Sequence, residues 1–376
     1  MTKVILVANT SWFLYNFRLS WAEELARRGM EVVLSAPRDS FTPKLEELGF
    51  RFEEIHMGRQ TLAPWKEVPT LRQLRRLYLR ERPALVHHLT IKPVIYGSIA
   101  ARLSSVPAVV NGITGRGYAF LSREPRARLV NRLATTLYRL AFRHPNQAVI
   151  FENETDRNDF MRRGLVRPEQ THLIEGAGID PARFFPPEVE PEPDAPLIIL
   201  PARMLWDKGP GVLMEAARLL QPRVKARVAL VGSPDPGNPS SIPQETLEAW
   251  QSEGVLEWWG WQADMPAVYR QCQIVTLPTM YGEGVPSALM EAAASGRPIV
   301  ASDFPGPRSV VQPGRNGLLV PPGDSQALAD ALEKLAIDPE LRAEMGTAGR
   351  QIALERFTTD RLNAARMKVY EQLLSK

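Results

Sequence analysis

Two carboxylates stand eight residues apart in Glu283-Gly284-Val285-Pro286-Ser287-Ala288-Leu289-Met290-Glu291. The stretch follows the apolar run Ile274-Val275-Thr276-Leu277-Pro278, so it reads as a strand leading through a loop into a helix entered at Pro286. Glu283 then lies in the loop before the positive end of that helix, and Glu291 lies more than a turn inside it. Carboxylates so placed can hold one polyhydroxylated ligand at two points. Glu283, between Gly282 and Gly284, is a hydroxyl acceptor where the backbone permits close approach. The N–H groups of Gly284 and Val285 open toward the same place and favour negative charge. Glu291 is either a solvent-facing helix residue or, among Leu289, Met290 and Ala292 to Ala294, a buried carboxylate that needs a partner. Ribose hydroxyls would supply one.

A second set of charges lies in Arg203-Met204-Leu205-Trp206-Asp207-Lys208-Gly209-Pro210, just beyond another apolar run. Arginine offers a planar fork and lysine a mobile point charge, so the pair forms a candidate diphosphate clamp. Their spacing does not suit a shared helix face. Gly232, after the run 227–231, allows a tight turn near a phosphate, or closes an ordinary loop. In the N-terminal half, His88 is a candidate cleft residue and candidate catalytic group; the alternative is a structural histidine. Lys92 and Arg116 are candidate contacts for an acceptor diphosphate, and Asn111, in a glycine-containing loop, is a further cleft candidate. No metal site is expected, because the further ligands that His87 and His88 would need are not visible.

The elements that must position these residues alternate strand and helix. Val4–Ala8 reads as a strand, followed by a loop and a helix over 19–28 that Gly29 ends. Segments 31–35, 83–86, 107–110 and 148–151 read as further strands, with a helix between at 94–103. This is α/β layering with strands buried on both faces. The tract Pro186-Pro187-Glu188-Val189-Glu190-Pro191-Glu192-Pro193-Asp194 cannot form a regular element and reads as a linker over 186–195. It divides an N-terminal domain, 1–185, from a C-terminal α/β domain, 196–358. Strands there are expected at 197–200, 227–231, 274–277 and 298–301, with a helix at 286–295 capped by Gly296. A final segment, 359–376, reads as amphipathic.

Composition sets the outer bounds. The chain has 376 residues, 44% hydrophobic and 23% charged, with a net charge of +4, which suits two globular domains. A single cysteine, Cys272, excludes an internal disulfide framework and reads as a buried thiol beside the 274–277 run. The start, Lys3 and a short apolar run ending in Asn9-Thr10-Ser11, does not fit a signal peptide, and no run of 18 apolar residues occurs. The N-terminal half is basic and the remainder acidic. Arg72, Arg75, Arg76, Arg80 and Arg82 mark one basic helix, and Arg123, Arg126, Arg128, Arg132, Arg139 and Arg143 another, interleaved with apolar residues. Such faces suit peripheral contact with an anionic membrane, or simply solubilise a buried helix. No nucleic-acid reader is recognisable. A Gly-x-Gly-x-x-Gly fingerprint is missing after the first strand, and so is a phosphate loop of the nucleoside triphosphatase kind, which argues against both classes.

With Asp303-Phe304-Pro305-Gly306 and Asn316-Gly317-Leu318-Leu319-Val320-Pro321, the Arg203–Lys208 and Glu283–Glu291 motifs resemble those of the retaining glycosyltransferases of family 4. The resemblance implies a GT-B fold: two Rossmann-like α/β domains with an interdomain cleft, and a final helix over 359–376 that packs back on the N-terminal domain. It implies that Arg203 and Lys208 hold the donor diphosphate, Glu291 the ribose and Glu283 the donor sugar. Phe13-Leu14-Tyr15-Asn16-Phe17-Arg18, Val86-His87-His88-Leu89-Thr90-Ile91-Lys92-Pro93 and Asn111-Gly112-Ile113-Thr114-Gly115-Arg116-Gly117 resemble the branch that builds O-antigen, capsule and lipid-linked glycan precursors. That branch implies a nucleotide-sugar donor, UDP-linked, and a glycan or polyprenyl-diphosphate-linked acceptor. It implies no other cofactor, and a cytoplasmic enzyme peripheral on the inner membrane. Asn16 joins Lys92 and Arg116 on the acceptor side. The chain departs from the family in lacking a glycine pair after its first strand and in carrying Asn111 where a histidine is common. The alternatives are a nucleotide-sugar epimerase or hydrolase on the same fold, and a non-catalytic sugar-binding or scaffolding protein.

Overall fold

The computed structural model describes residues 1–58, 64–115, 125–189, 194–282 and 284–375. The chain forms two compact units, one of Met1–Ala177 with Thr359–Lys376 and one of Gly178–Thr358. Each is built on an all-parallel sheet.

In the first unit β1 (Lys3–Val7), β2 (Glu31–Ala36), β3 (Arg51–Glu54), β4 (Leu85–Leu89), β5 (Ala108–Ile113), β6 (Gln147–Phe151) and β7 (Thr171–Leu173) form a sheet of order β3-β2-β1-β4-β5-β6-β7. Side chains alternate across the sheet. Ile5, Val7, Val86, Val109 and Val149 meet Leu74, Tyr78, Ala101, Tyr138 and Phe160 on one face. Leu6, Leu34, Leu85, Val110 and Ile150 meet Leu14, Trp21, Leu25, Met367 and Tyr370 on the other. The last helix, Thr359–Leu374, thus covers one face of the first sheet.

The second unit has β8 (Leu197–Pro201), β9 (Arg227–Val231), β10 (Glu257–Trp258), β11 (Ile274–Leu277), β12 (Ile299–Ser302) and β13 (Gly317–Val320), in the order β10-β9-β8-β11-β12-β13. Small residues bring two of its helices together. A β-carbon on Gly346, in helix Pro339–Arg356, would lie 2.2 Å from the Gly296 carbonyl oxygen. Arg350 of the same helix donates to the Ala294 carbonyl at 2.6 Å, closing the end of helix Ser287–Ala294. Gly296 follows with φ +68, the left-handed turn expected of it. Cys272 is fully buried.

Three expectations need correction. The first helix spans Ser11–Arg27, because Thr10 caps it by accepting from the Phe13 N–H, so Asn16 lies on a helix and not in a loop. Asn111 lies inside β5, its neighbours Gly112 and Ile113 still paired with β6. The first unit is left at Ala177 and not at 185, since Ile179 and Phe184 are buried in the core of the second. Among the described residues, no helix is long and apolar enough to cross a membrane.

Candidate active site

In the second unit the strand order reverses between β8 and β11. Open parallel sheets gather ligand-binding loops outside the carboxyl ends of the strands at such a reversal. The two sequence motifs are the two loops that meet there. Arg203 lies two residues beyond β8, and its Nη1 donates to Asp235 Oδ2 at 2.8 Å, which fixes the guanidinium against the loop after β9. Lys208 ends the short turn Trp206–Lys208. The Asp207 carbonyl accepts from the Met280 N–H at 2.8 Å, so the loop after β11 is laced to the turn bearing Lys208.

That loop leads into helix Ser287–Ala294 through Gly284, Val285 and Pro286. The Gly284 and Val285 N–H groups precede the helix at its positive end, where an anion is favoured. Glu283 lies outside the described residues. Glu291 Oε2 accepts from the Tyr269 hydroxyl at 2.9 Å. Burial pushes the Glu291 carboxyl above its usual range, against the opposing pull of Tyr269 and Arg183. Gly232 has a packing reason for its type: a β-carbon there would lie 1.9 Å from the Ala202 carbonyl oxygen. It brings the loops after β8 and β9 close together.

The first unit reverses between β1 and β4. Because side chains alternate along a strand, His87 and His88 on β4 face opposite sides of the sheet, toward Tyr370 and Tyr78 respectively. His88 and Asn111 stand in register, both fully buried. His88 Nδ1 meets Asn111 Oδ1 at 3.0 Å and Nε2 meets the Tyr78 hydroxyl at 2.9 Å. Ser98 donates to Asn111 Oδ1 at 2.8 Å. Both ring nitrogens of His88 are thus engaged within the protein, burial holds its pKa down to about 3, and Asn111 is its hydrogen-bond partner inside the sheet.

The acceptor-side candidates separate. Asn16 is exposed, its amide back-bonded to the Trp12 carbonyl at 2.9 Å. Lys92 pairs with Glu67 at 2.6 Å, which neutralises its charge beside a buried carboxylate. Arg116 lies outside the described residues. The backbone at Thr90 had no signal in the sequence, and His87 was not told apart from His88. Thr90, at the end of β4, has φ +73, which is strained for a β-branched residue. His87 lies on the opposite face from His88, beside Arg18 and Arg366. Strand alternation could have separated the two histidines.

Two family profiles match the chain. One, described as glycosyl transferase 4-like, takes in residues 3–153, and the other, described as glycosyl transferases group 1, residues 195–338. The chain belongs to the family 4 glycosyltransferases of GT-B fold. This glycosyltransferase is 27% identical, over 96% of each chain, to the N,N'-diacetylbacillosaminyl-diphospho-undecaprenol alpha-1,3-N-acetylgalactosaminyltransferase of Campylobacter jejuni. It is 26% identical to the UDP-Gal:alpha-D-GlcNAc-diphosphoundecaprenol alpha-1,3-galactosyltransferase of Escherichia coli, over 73% of this chain and 72% of that one. Anabaena HepE, solved in complex with UDP-glucose, superposes over 100% of both chains with a TM-score of 0.78 at 21% identity, a likeness of fold.

Proposed function

We propose that the enzyme moves a hexosyl or N-acetylhexosaminyl group from a UDP-sugar to a hydroxyl of a polyprenyl-diphosphate-linked glycan, keeping the anomeric configuration. The observation that carries this reading is the lacing of the Lys208 turn to the loop after β11, at the reversal of the second sheet. Arg203, Lys208 and the N–H groups of Gly284 and Val285 hold the diphosphate there. Glu291 takes the ribose, and Glu283, by its place in the motif, the sugar. The names of the Campylobacter and Escherichia relatives, and the UDP-glucose in Anabaena HepE, support the choice of donor and acceptor.

In the reaction the C1–oxygen bond to the diphosphate breaks and a bond from C1 to the acceptor oxygen forms on the same face. The acceptor proton goes to the departing phosphate oxygen. Negative charge grows on the diphosphate as the bond breaks, where the cations and helix terminus stabilise it. The donor is assigned to the second unit and the acceptor to the first.

The same reading has the enzyme work at the cytoplasmic face of the membrane carrying its acceptor. Helix Pro125–Ala141 supports it: Leu133 and Leu140 are each 39% exposed, flanked by exposed Arg132, Arg139 and Arg143. UDP-sugars offered with an undecaprenyl-diphosphate-linked sugar, with products read by mass spectrometry, test the function. Free UDP or epimerised sugar without transfer would sink it.

A further inference from the structure

On the His87 face of the first sheet lies a small, partly open recess, with room for about one oxygen-sized group. Arg18, His87, Gly112, Thr114, Glu152 and Arg366 line it. Its polar wall is rich in donors. Arg18 Nη2 donates to Glu152 Oε1 at 3.1 Å and Nη1 to the Phe17 carbonyl at 2.8 Å, while Nε is buried without an acceptor. Arg366 is held from behind by Asn363 Oδ1 at 2.7 Å and the Gly176 carbonyl at 2.5 Å.

The proton on His87 can be placed. An indole nitrogen only donates, so the Tyr370 hydroxyl accepts from Trp21 Nε1 at 3.2 Å. The hydroxyl proton is then directed at His87 Nδ1, 2.9 Å away, which leaves the ring proton on Nε2. Burial keeps the ring neutral. Nε2 is itself buried without a partner. Gly112 keeps it uncovered: a β-carbon there would lie 3.4 Å from Nε2 and 3.1 Å from Leu89 Cδ2.

Charge points the same way. Two guanidiniums, each at most 5% exposed, meet Glu152 as the one carboxylate among the lining residues. Burial and the neighbouring Arg18 hold the Arg366 pKa down to about 9. A buried positive excess with unmatched donors is stabilised by an anion that supplies acceptors.

We propose that this recess is an oxyanion subsite, in which Arg18 Nε and His87 Nε2 donate to a phosphoryl oxygen of the acceptor while Arg366 supplies charge. The subsite rests on the proposed function only in assigning that oxygen to the acceptor.

The full chain, saturated with UDP to fill the donor site, is titrated calorimetrically with farnesyl diphosphate and, separately, with inorganic phosphate. Wild type is compared with Gly112→Ala, whose methyl group covers Nε2 without changing charge. Arg18→Lys, which keeps a cation beside Glu152 but lacks Nε, is the second variant. Farnesyl diphosphate is expected to bind wild type and to weaken roughly ten-fold or more in both variants. The KM for the lipid-linked acceptor should rise by a similar factor in Gly112→Ala. Equal affinities in all three proteins overturn the subsite. Loss of phosphate binding with an unchanged acceptor KM gives the recess to free phosphate and overturns the acceptor role. Should no lipid-linked acceptor be used at all, the functional reading fails, while the titration still decides whether the recess binds an oxyanion.

Discussion

Gly209 stands so close to Pro278 that a β-carbon on it would lie 2.0 Å from the Pro278 carbonyl oxygen. Its φ of +82 belongs to the left-handed region as well. The Thr279 hydroxyl donates to the Asp207 carbonyl at 3.0 Å in the same seam, so the loops after β8 and β11 form one unit of structure. Glycine at 209 is therefore a condition for placing Lys208. Gly209→Ala should cost about 2 kcal/mol or more, through both strain and the clash. It should also abolish detectable UDP binding. Thermal unfolding and calorimetry check the two effects separately, and wild-type UDP affinity in a folded variant would refute the assignment.

Glu291 predicts a trade between stability and binding. Its folded pKa is raised by burial, so the folded chain binds the proton more readily than the unfolded chain. The carboxyl thus gives most stability below its unfolded value, and that stability is lost as pH rises through the higher folded value. Glu291→Gln removes the charged form. At pH 7 it should raise the melting temperature, a gain that vanishes below about pH 4. UDP affinity should fall at least about ten-fold, because an acceptor for two hydroxyls is halved. A variant that melts lower at pH 7 and binds UDP normally contradicts both parts.

His88 shifts the other way. Its folded pKa is held near 3 by burial, against 6.5 unfolded. Between those values the unfolded chain binds the extra proton, so stability is present above pH 6.5 and falls as pH drops. The slope from this one group is about 1.4 kcal/mol per pH unit. His88→Gln should flatten that limb of a urea-unfolding series, yet leave the pH dependence of transfer between 6 and 8 unchanged. A changed pH–rate profile would restore His88 to a catalytic role.

The second unit was the more legible in sequence because its candidate site is made by residues close in the chain. Arg203 and Lys208 follow one strand, and Glu283 to Glu291 follow another, so each motif carries its own local geometry. The reversal that joins them needed only the α/β alternation. In the first unit, the decisive relationships are long-range. His88 finds Asn111 across a strand pair, and His87 finds Tyr370, 283 residues away in sequence. No spacing rule announces such a partner. The His87–His88 pair looked like one feature, although strand alternation assigns the two rings to opposite faces. The domain boundary was misplaced for a related reason: the proline-rich tract is conspicuous, whereas Ile179 and Phe184 show their allegiance only through burial.

Lys92 offers a test of structure against acceptor contact. Its ammonium lies 2.6 Å from Glu67, whose residue is 1% exposed and which also accepts from the Thr70 hydroxyl at 2.9 Å. Removing this cation weakens the pairing of a buried carboxylate, so Lys92→Met should destabilise by about 3 kcal/mol. Replacing both partners, Lys92→Met with Glu67→Gln, removes the buried negative charge as well and should recover most of that loss. Denaturant unfolding of the two single variants and the double variant measures the coupling. If the pair is structural, the acceptor KM of the double variant stays near wild type, because no charge was being offered to substrate. A KM raised in the double variant despite recovered stability would instead return Lys92 to the acceptor site, with Glu67 as the group that positions it.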